Sequence, residues 1–293
     1  MSTMIDLRSD TVTLPSDKMR EAITGAKLGD DVFGEDPTIN ELEAKAAKIM
    51  GKEQGLLVPS GTMGNLVSIL VHCQRGTEII LGDKSHTFMY EAGGISAFGG
   101  IHSRQLKTQM DGTINIDDIQ TAIRMDNVHF PKTAAITLEN THNLCNGTPL
   151  FPEYIHKVAQ IAHNNNMKLH IDGARIFNAS VAQDLDVAKL VIDADSVTFC
   201  LSKGLSAPVG SIVCGSEEFI YEARRIRKAL GGGMRQAGII AAAGIFSLDN
   251  MLDQIREDHK NAKRLAKGID QIEGLSIDLE NIKTNILYFD IDK

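Results

Sequence analysis

Short apolar runs rich in β-branched residues alternate with helix-length amphipathic segments along most of the chain. The runs predict six strands, at residues 55–58, 77–81, 134–139, 167–172, 196–201 and 210–214. The amphipathic segments predict five helices, at residues 36–50, 62–74, 116–125, 152–164 and 217–230. This alternation is typical of an α/β fold in which a mostly parallel central sheet carries helices on both faces.

The pattern changes near residue 248. From Leu248 to about Glu273 a charged segment predicts one long helix, and residues 284–291 predict a strand. We therefore expect a large domain over residues 1–247 and the start of a smaller α+β domain over residues 248–293. A strand that ends so close to the last residue leaves too little chain to cover its face, so we expect this small domain to be truncated.

Composition narrows the classes of function. The 293 residues carry a formal net charge of −8, and the one basic run, 224–228, complements the end of a helix, so we expect no nucleic-acid partner. The four cysteines lack paired Cys-x-x-Cys spacing and lie mostly in apolar runs, as reduced thiols do. No stretch approaches the roughly twenty apolar residues of a membrane span, so we expect a cytoplasmic protein without a membrane partner.

A lysine and a carboxylate follow two predicted strands. Lys203 comes directly after the strand at 196–201, and Asp172 ends the strand at 167–172. Because the carboxyl ends of parallel strands open onto one crevice, both side chains are expected at the same edge of the sheet. Pyridoxal phosphate needs such a pair, a lysine that bonds to its aldehyde and an acid that keeps its ring nitrogen protonated. The alternatives are a solvated turn for Lys203 and an ion pair between Asp172 and Arg175.

Two segments are candidates for binding a phosphate. Ser60, Gly61 and Thr62 follow a strand and open an apolar helix, where free backbone N–H groups and the helix dipole favour an anion. The alternative for Ser60 is that it only caps this helix. The second candidate is the glycine run at 231–233 with Arg235, which a simple helix stop would also explain.

Histidines near strand ends supply candidates for proton transfer. His86 and His142 each follow a predicted strand, and for both of them a plain surface position is an equally good interpretation. His170 and Asp172 share one face of a strand at i and i+2, a spacing that suits a metal pair. No third ligand is evident nearby, so we expect no metal.

Six motifs in order resemble those of low-specificity L-threonine aldolases, which are fold-type I pyridoxal phosphate enzymes. They occupy residues 7–13, 30–37, 60–62, 139–143, 170–175 and 202–204, and the resemblance runs from about Asp6 to the last residue. It implies that Lys203 carries the cofactor, that Asp172 pairs with the pyridine nitrogen and that His86 stacks on the ring.

The same resemblance implies the remaining contacts. Those to the phosphate and the rest of the cofactor come from Ser60, Gly61, Thr62 and Arg175, and those to the substrate come from Ser9, His86, Tyr90 and Arg175. Lys228 and Arg235 resemble residues that reach the phosphate from a neighbouring subunit, which implies a homodimer or homotetramer with shared sites.

The implied reaction is cleavage of the Cα–Cβ bond of L-threonine, L-allo-threonine and related β-hydroxy amino acids to glycine and an aldehyde. His86 or His142, directly or through water, is the candidate base, and Asp172 keeps the ring able to accept electrons.

Two departures from the family pattern are Asn146-Gly147, where relatives have paired glycines, and the end at Lys293 ahead of an arginine that clamps the substrate carboxylate. We therefore expect a fragment of an active enzyme. The alternatives are β-elimination, racemisation or transamination with the same cofactor, or a catalytically impaired protein that still binds it.

Overall fold

The computed structural model describes residues 5–292 and contains a seven-stranded sheet packed between helices. The strands are β1 (Gln54–Val58), β2 (Glu78–Gly82), β3 (His102–Leu106), β4 (Thr133–Glu139), β5 (Lys168–Asp172), β6 (Ser196–Cys200) and β7 (Ser211–Gly215). Their order across the sheet is β1-β7-β6-β5-β4-β2-β3. Only β7 runs antiparallel to its neighbours, β1 and β6, so the mostly parallel sheet expected from the sequence is confirmed.

Among the described residues, twelve α-helices surround this sheet and form most of the C-terminal part. They are α1 (Asp17–Thr24), α2 (Pro37–Met50), α3 (Gly61–His72), α4 (His86–Met89), α5 (Gly94–Ala97), α6 (Ile116–Ala122), α7 (Pro152–Asn164), α8 (Ile176–Gln183), α9 (Val187–Val191), α10 (Glu217–Ala229), α11 (Gly238–Asn250) and α12 (Leu252–Ile269). A pair of two-residue strands, β8 (Leu275–Ser276) and β9 (Asp290–Ile291), forms a separate antiparallel ladder.

The largest apolar cluster joins the sheet to its helices. Phe199 of β6, Leu169 of β5 and Leu42 of α2 are all fully buried within it. The five central strands from β7 to β2 are buried on both faces, which is why they appear in the sequence as nearly continuous apolar runs. The edge strand β3 has the polar sequence HSRQL, and for that reason the hydrophobic pattern did not predict it.

Two expectations for the C-terminal part need correction. The long helix expected from Leu248 is two helices, α11 and α12, which divide at Met251. The strand expected at 284–291 is reduced to β9, and Thr284 and Asn285 bind the Gly147 carbonyl and Asp10 through their side chains. The boundary expected after residue 247 falls inside α11, which packs on α1 and α2, so the domain division stays a prediction.

All four cysteines are free and buried, as expected for structural thiols. Across residues 5–292 no helix combines the length and the apolar character that crossing a membrane requires.

Gly64 lets α3 lie close to the sheet, and this generates a stability prediction. A Cβ atom at Gly64 would stand 2.4 Å from Cγ2 of Thr198 on β6, whereas one at Gly268 of α12 would meet nothing within 4 Å. We expect Gly64→Ala to lower the free energy of unfolding by about 1–3 kcal/mol through overpacking. Gly268→Ala, the matched control, should raise it by about 0.5–1 kcal/mol because alanine loses less backbone entropy in a helix. Urea unfolding of both variants measures this, and a destabilised Gly268→Ala or an unaffected Gly64→Ala would contradict it.

Candidate active site

The carboxyl ends of β2, β4, β5 and β6 converge at one edge of the sheet. Glu139 at the end of β4 is paired in register with Asp172 at the end of β5, and Asp172 is paired with Thr198 of β6. Lys203 lies in the turn between β6 and β7, where its carbonyl accepts hydrogen bonds from Ser206 N–H and from the Thr13 hydroxyl. The expected meeting of the lysine loop and the carboxylate at one sheet edge is therefore observed.

Asp172 is buried, with only 3% of its surface exposed, and both of its oxygens have donors. Oδ1 accepts the backbone N–H of Ala174 at 3.1 Å, and Oδ2 accepts Nδ2 of Asn65 at 2.8 Å. A buried carboxylate is tolerated only when it is hydrogen-bonded or paired in this manner. The alternative pairing of Asp172 with Arg175 is wrong, since Arg175 binds Asp10 instead.

A second buried acid, Glu91, lies next to Asp172. Its Oε1 accepts the other hydrogen of Asn65 Nδ2 at 2.8 Å and lies 2.9 Å from Nδ1 of His86. This bond to Glu91 raises the pKa of His86, and burial raises the pKa of Glu91. Ligand-type atoms of His86, Glu91 and Asp172 lie within 4.8 Å of one another, so the imidazole borders the acid that the sequence placed at the sheet edge.

Tyr90 and Lys203 complete the surroundings of His86. The Tyr90 ring is half exposed and its centroid lies 5.6 Å from that of the His86 ring. The charge of Lys203 is close enough to act on the pKa of both His86 and Asp10. Among residues 5–292, the Lys203 amine has no hydrogen-bond or salt-bridge partner, so it is available to a ligand.

His142 is almost completely buried, so a plain surface position for it is wrong. Only 2% of its side chain is exposed, and neither ring nitrogen has a hydrogen-bond partner in the described part of the chain. Its Nε2 lies 3.9 Å from Oε2 of Glu139, and the same Oε2 accepts the backbone N–H of His86. Unpartnered buried polar atoms are rare in folded proteins, and a bound water or a catalytic role explains many of them.

Arg175 is held by Asp10 of the N-terminal segment through two charge-assisted bonds. Nε and Nη2 of Arg175 each lie 2.7 Å from an Asp10 oxygen, and Nη1 lies 3.4 Å from Oδ1 of Asn143. Although burial acts in the opposite direction, the Arg175 bonds lower the pKa of Asp10. Of the five guanidinium N–H groups these contacts use three, so two remain for a ligand. Ser9 is exposed beside this pair, and its hydroxyl caps the short 3-10 helix Asp10–Val12.

The candidate phosphate site is the N-terminus of α3. Ser60 Oγ accepts the backbone N–H of Met63, so Ser60 caps this helix, and its role toward a phosphate stays a prediction. A Cβ atom at Gly61 would lie 2.8 Å from Sγ of Cys200, which shows how closely the helix start approaches β6. Thr62 is exposed at the first turn.

Lys228 and Arg235 lie on the surface at the end of α10 and just beyond it. Arg235 pairs with Asp30 at 3.0 Å and lies over the Phe33 ring, 5.9 Å from its centroid, while Lys228 is exposed beside Gly233. The glycine run between them packs on α3, because a Cβ atom at Gly232 would overlap the sulfur of Met63. Both cations are therefore at the surface, as a contact to a second subunit would require.

Several residues of this site were missed by the sequence analysis. They are Asp10, Asn65, Glu91, Glu139 and Tyr288, whose hydroxyl lies 3.5 Å from the carbonyl of Asn143. His170, whose spacing from Asp172 would suit a metal pair, instead lies in a hydrogen-bonded network. Both ring nitrogens of His170 are engaged, Nδ1 with Ser196 Oγ and Nε2 with Asn65 Oδ1.

A family model described as beta-eliminating lyase matches residues 6–292. The chain belongs to this family. It is 51% identical over 291 residues to low-specificity L-threonine aldolase 1 of Arabidopsis thaliana, covering 98% of this chain and 81% of the relative. It is 45% identical over 285 residues to the low specificity L-threonine aldolase of Escherichia coli K12, covering 97% and 84%.

A solved structure extends the likeness to the fold. The crystal structure of a putative L-allo-threonine aldolase from Listeria monocytogenes matches with a TM-score of 0.80 at 22% identity, over 91% of this chain and 73% of that one. Together with the observed sheet, this match confirms the fold class expected from the sequence, that of fold-type I pyridoxal phosphate enzymes.

The buried histidine at the centre of the site generates a pH prediction. Burial lowers the pKa of His170 from 6.5 to about 4. The unfolded chain therefore gains a proton near pH 6.5 that the folded chain does not, and stability falls as the pH drops toward 4. Between about pH 6.5 and 4.5 this single group should cost about 2–3 kcal/mol of unfolding free energy.

Denaturant unfolding of the cofactor-free protein at both pH values measures this loss. His170→Gln should lose less stability between the two values than the wild type, while His129→Gln, at an exposed position, should match the wild type. An equal loss in wild type and His170→Gln would contradict the assignment.

Proposed function

We propose that this protein uses pyridoxal phosphate to cleave the Cα–Cβ bond of L-threonine, L-allo-threonine and related β-hydroxy amino acids, giving glycine and an aldehyde. The observation that carries the proposal is the convergence of an unpartnered lysine, a buried acid and a histidine at one edge of a fold-type I sheet. The names of the relatives at 45% and 51% identity support the choice of substrate.

The residues at this edge fit the cofactor. Asp172 is fixed by two donors and still borders the crevice, so it suits a protonated pyridine nitrogen. The start of α3 offers free backbone N–H groups and the positive end of the helix dipole, which suits a phosphate. The amine of Lys203 is available to the aldehyde. When bound, pyridoxal phosphate supplies an electron sink for the pair released from the substrate's breaking bond.

The remaining side chains orient the substrate and cofactor. We assign the carboxylate of the amino acid to Ser9 and to the two guanidinium N–H groups that Arg175 keeps free, since a guanidinium matches a carboxylate in shape and charge. The ring of His86 would stack on the cofactor, and the Tyr90 ring, 5.6 Å from it between centroids, would contact the substrate. Ser60, Gly61 and Thr62 hold the phosphate.

The proton of the β-hydroxyl group requires a base, and two histidines compete for this role. Nδ1 of His86 is held by Glu91, which leaves Nε2 for the substrate. Within residues 5–292 both nitrogens of the His142 ring lack a hydrogen-bond partner, and Nε2 lies 3.9 Å from Oε2 of Glu139, so the ring has two polar atoms free to meet a ligand. His142 is therefore the better candidate for the base, directly or through water, and His86 for the stacking contact.

A homo-oligomer with shared sites is part of the proposal. Side chains with large apolar surface are exposed beside His86, at Met89 and Tyr90, and under Arg235, at Phe33, which is 73% exposed. Exposed apolar surface of this kind marks an interface. Lys228 and Arg235 would then reach the phosphate of the neighbouring subunit.

A cytoplasmic location and a role in threonine breakdown are also part of the proposal.

Lys203→Ala is the direct test of the cofactor assignment. The wild type, purified with pyridoxal phosphate, should absorb visible light, should be tagged at Lys203 after borohydride treatment, and should release acetaldehyde and glycine from L-threonine. Lys203→Ala should lose the tag and at least about 10³-fold of the rate, because no covalent catalysis remains. Lys267→Ala, at an exposed position of α12, is the control and should behave as the wild type.

Each other outcome of this test has a defined meaning. A keto acid or D-threonine in place of acetaldehyde would point to transamination, elimination or racemisation. A tagged but inactive wild type would identify a protein that only binds the cofactor. Tagging elsewhere than Lys203 would contradict the site.

Measurements of kcat and of cofactor affinity distinguish the roles of His86 and His142. His142→Asn should lower kcat by about 10²–10⁴-fold, the usual contribution of a general base, while leaving cofactor affinity unchanged. His86→Asn should weaken cofactor binding, measured by fluorescence titration, with a smaller effect on kcat. The reverse pattern would assign the base to His86.

A further inference from the structure

A continuous line of buried hydrogen bonds runs through the sheet behind Asp172. From the far side inward, Nε2 of His72 lies 2.7 Å from Ser196 Oγ, which lies 2.8 Å from Nδ1 of His170. Nε2 of His170 lies 3.2 Å from Oδ1 of Asn65, and Nδ2 of Asn65 reaches both Asp172 and Glu91 at 2.8 Å. Asn65, His170, Ser196, Asp172 and Glu91 are each at most 5% exposed.

The donor and the acceptor of every hydrogen bond in this line can be assigned by starting from the two acids, Asp172 and Glu91. Two carboxylate oxygens lie within hydrogen-bond distance of one Asn65 atom, so that atom is the NH₂ group, which has two hydrogens to give. The other side of the amide is then the carbonyl oxygen, which only accepts, so Nε2 of His170 must carry a proton.

The outer half of the line is fixed by the same logic. Burial keeps His170 neutral at physiological pH, and a neutral ring with a proton on Nε2 has a bare Nδ1. Nδ1 therefore accepts the Ser196 hydroxyl proton, and Ser196 Oγ accepts from Nε2 of His72, whose ring stacks on Phe219. Each hydrogen bond therefore has one possible donor, because reversing any of them leaves two acceptors or two donors in contact.

We propose that Asn65 is a positioning residue for both acids of the site, and that Ser196 and His170 hold its amide in the single orientation that donates to Asp172 and Glu91. Asn65 then sets the position of the acid that faces the pyridine nitrogen and, through Glu91, that of the His86 ring. The proton assignment holds whatever reaction the chain catalyses. Its consequence for cofactor binding rests on the proposed function.

The proton assignment is tested on the cofactor-free protein by NMR. In protein labelled with ¹⁵N-histidine at neutral pH, long-range ¹H–¹⁵N spectra report which ring nitrogen carries the proton, and His170→Gln identifies the His170 signals. We expect His170 to be protonated on Nε2 alone. Protonation on Nδ1, or on both nitrogens, would overturn the proposal without any bearing on the aldolase reaction.

The positioning role is tested by cofactor affinity. Asn65→Leu removes both hydrogen bonds to the acids and should weaken binding of pyridoxal phosphate to the cofactor-free protein by at least about tenfold, the value of one such bond to a charged group. Ser196→Ala, which does not touch the cofactor site, should weaken binding by roughly threefold and alter the His170 spectrum, because the constraint on the amide is relaxed.

Two variants separate positioning from loss of stability. Ser196→Thr keeps the hydroxyl and should restore both the affinity and the His170 spectrum. Ser247→Ala removes another fully buried serine hydroxyl, one that donates to the Leu205 carbonyl, and should leave cofactor affinity unchanged. If Asn65→Leu binds the cofactor as the wild type does, or if Ser247→Ala weakens binding as much as Ser196→Ala, the positioning role is wrong. If even the wild type fails to bind, the proposed function fails while the NMR result still stands.

Discussion

The site depends on the hydrogen bonds that keep the Asp172 carboxylate buried at the end of β5. Such a group costs several kcal/mol inside a protein unless donors replace the water it has lost. One donor, Ala174 N–H, comes from the turn that follows the strand, and the other, Asn65, comes from α3. The second donor reaches Asp172 only because Gly64 allows α3 to lie against Thr198. The helix start that suits a phosphate and the acid that suits a ring nitrogen are therefore parts of one packed unit.

An ion pair between the largely buried side chains of Asp10 and Arg175 brings the chain's N-terminal segment onto this unit. The 3-10 helix Asp10–Val12 buries no apolar side chain, so apolar packing does not hold it in place. Polar contacts do so instead: Asp10 binds Arg175 and Asn285, and the Thr13 hydroxyl binds the carbonyl of Lys203. A buried ion pair of this kind contributes little net stability to the fold, although removing one partner destabilises the protein strongly. Its main effect is therefore on geometry. The lysine and the arginine are thus positioned by the same short segment.

The sequence predicted what depends on local pattern and missed what depends on distant partners. The ends of β5 and β6 followed from apolar runs, and the lysine and acid at the sheet edge followed from them. Asn65 and Glu91 carry no local signal, because Asn65 meets Asp172 only across 107 positions of the chain. His170 shows the same limit. Its place on the same face as Asp172 was predicted correctly, but its partners come from α3 and β6, which a strand pattern cannot specify.

Glu139 shows how the two candidate histidines are physically coupled. It ends β4 and accepts the backbone N–H of both His86 and Asn143, one through each carboxylate oxygen. The same carboxylate lies beside the ring of His142. The loop after β2 and the loop after β4 are therefore both bound to a single buried acid. A movement of one loop that displaces Glu139 also disturbs the hydrogen bond from the other loop. Since a general base must stay within hydrogen-bond reach of its proton, fixing both loops to one carboxylate would hold the proposed base, His142, in a constant position relative to His86.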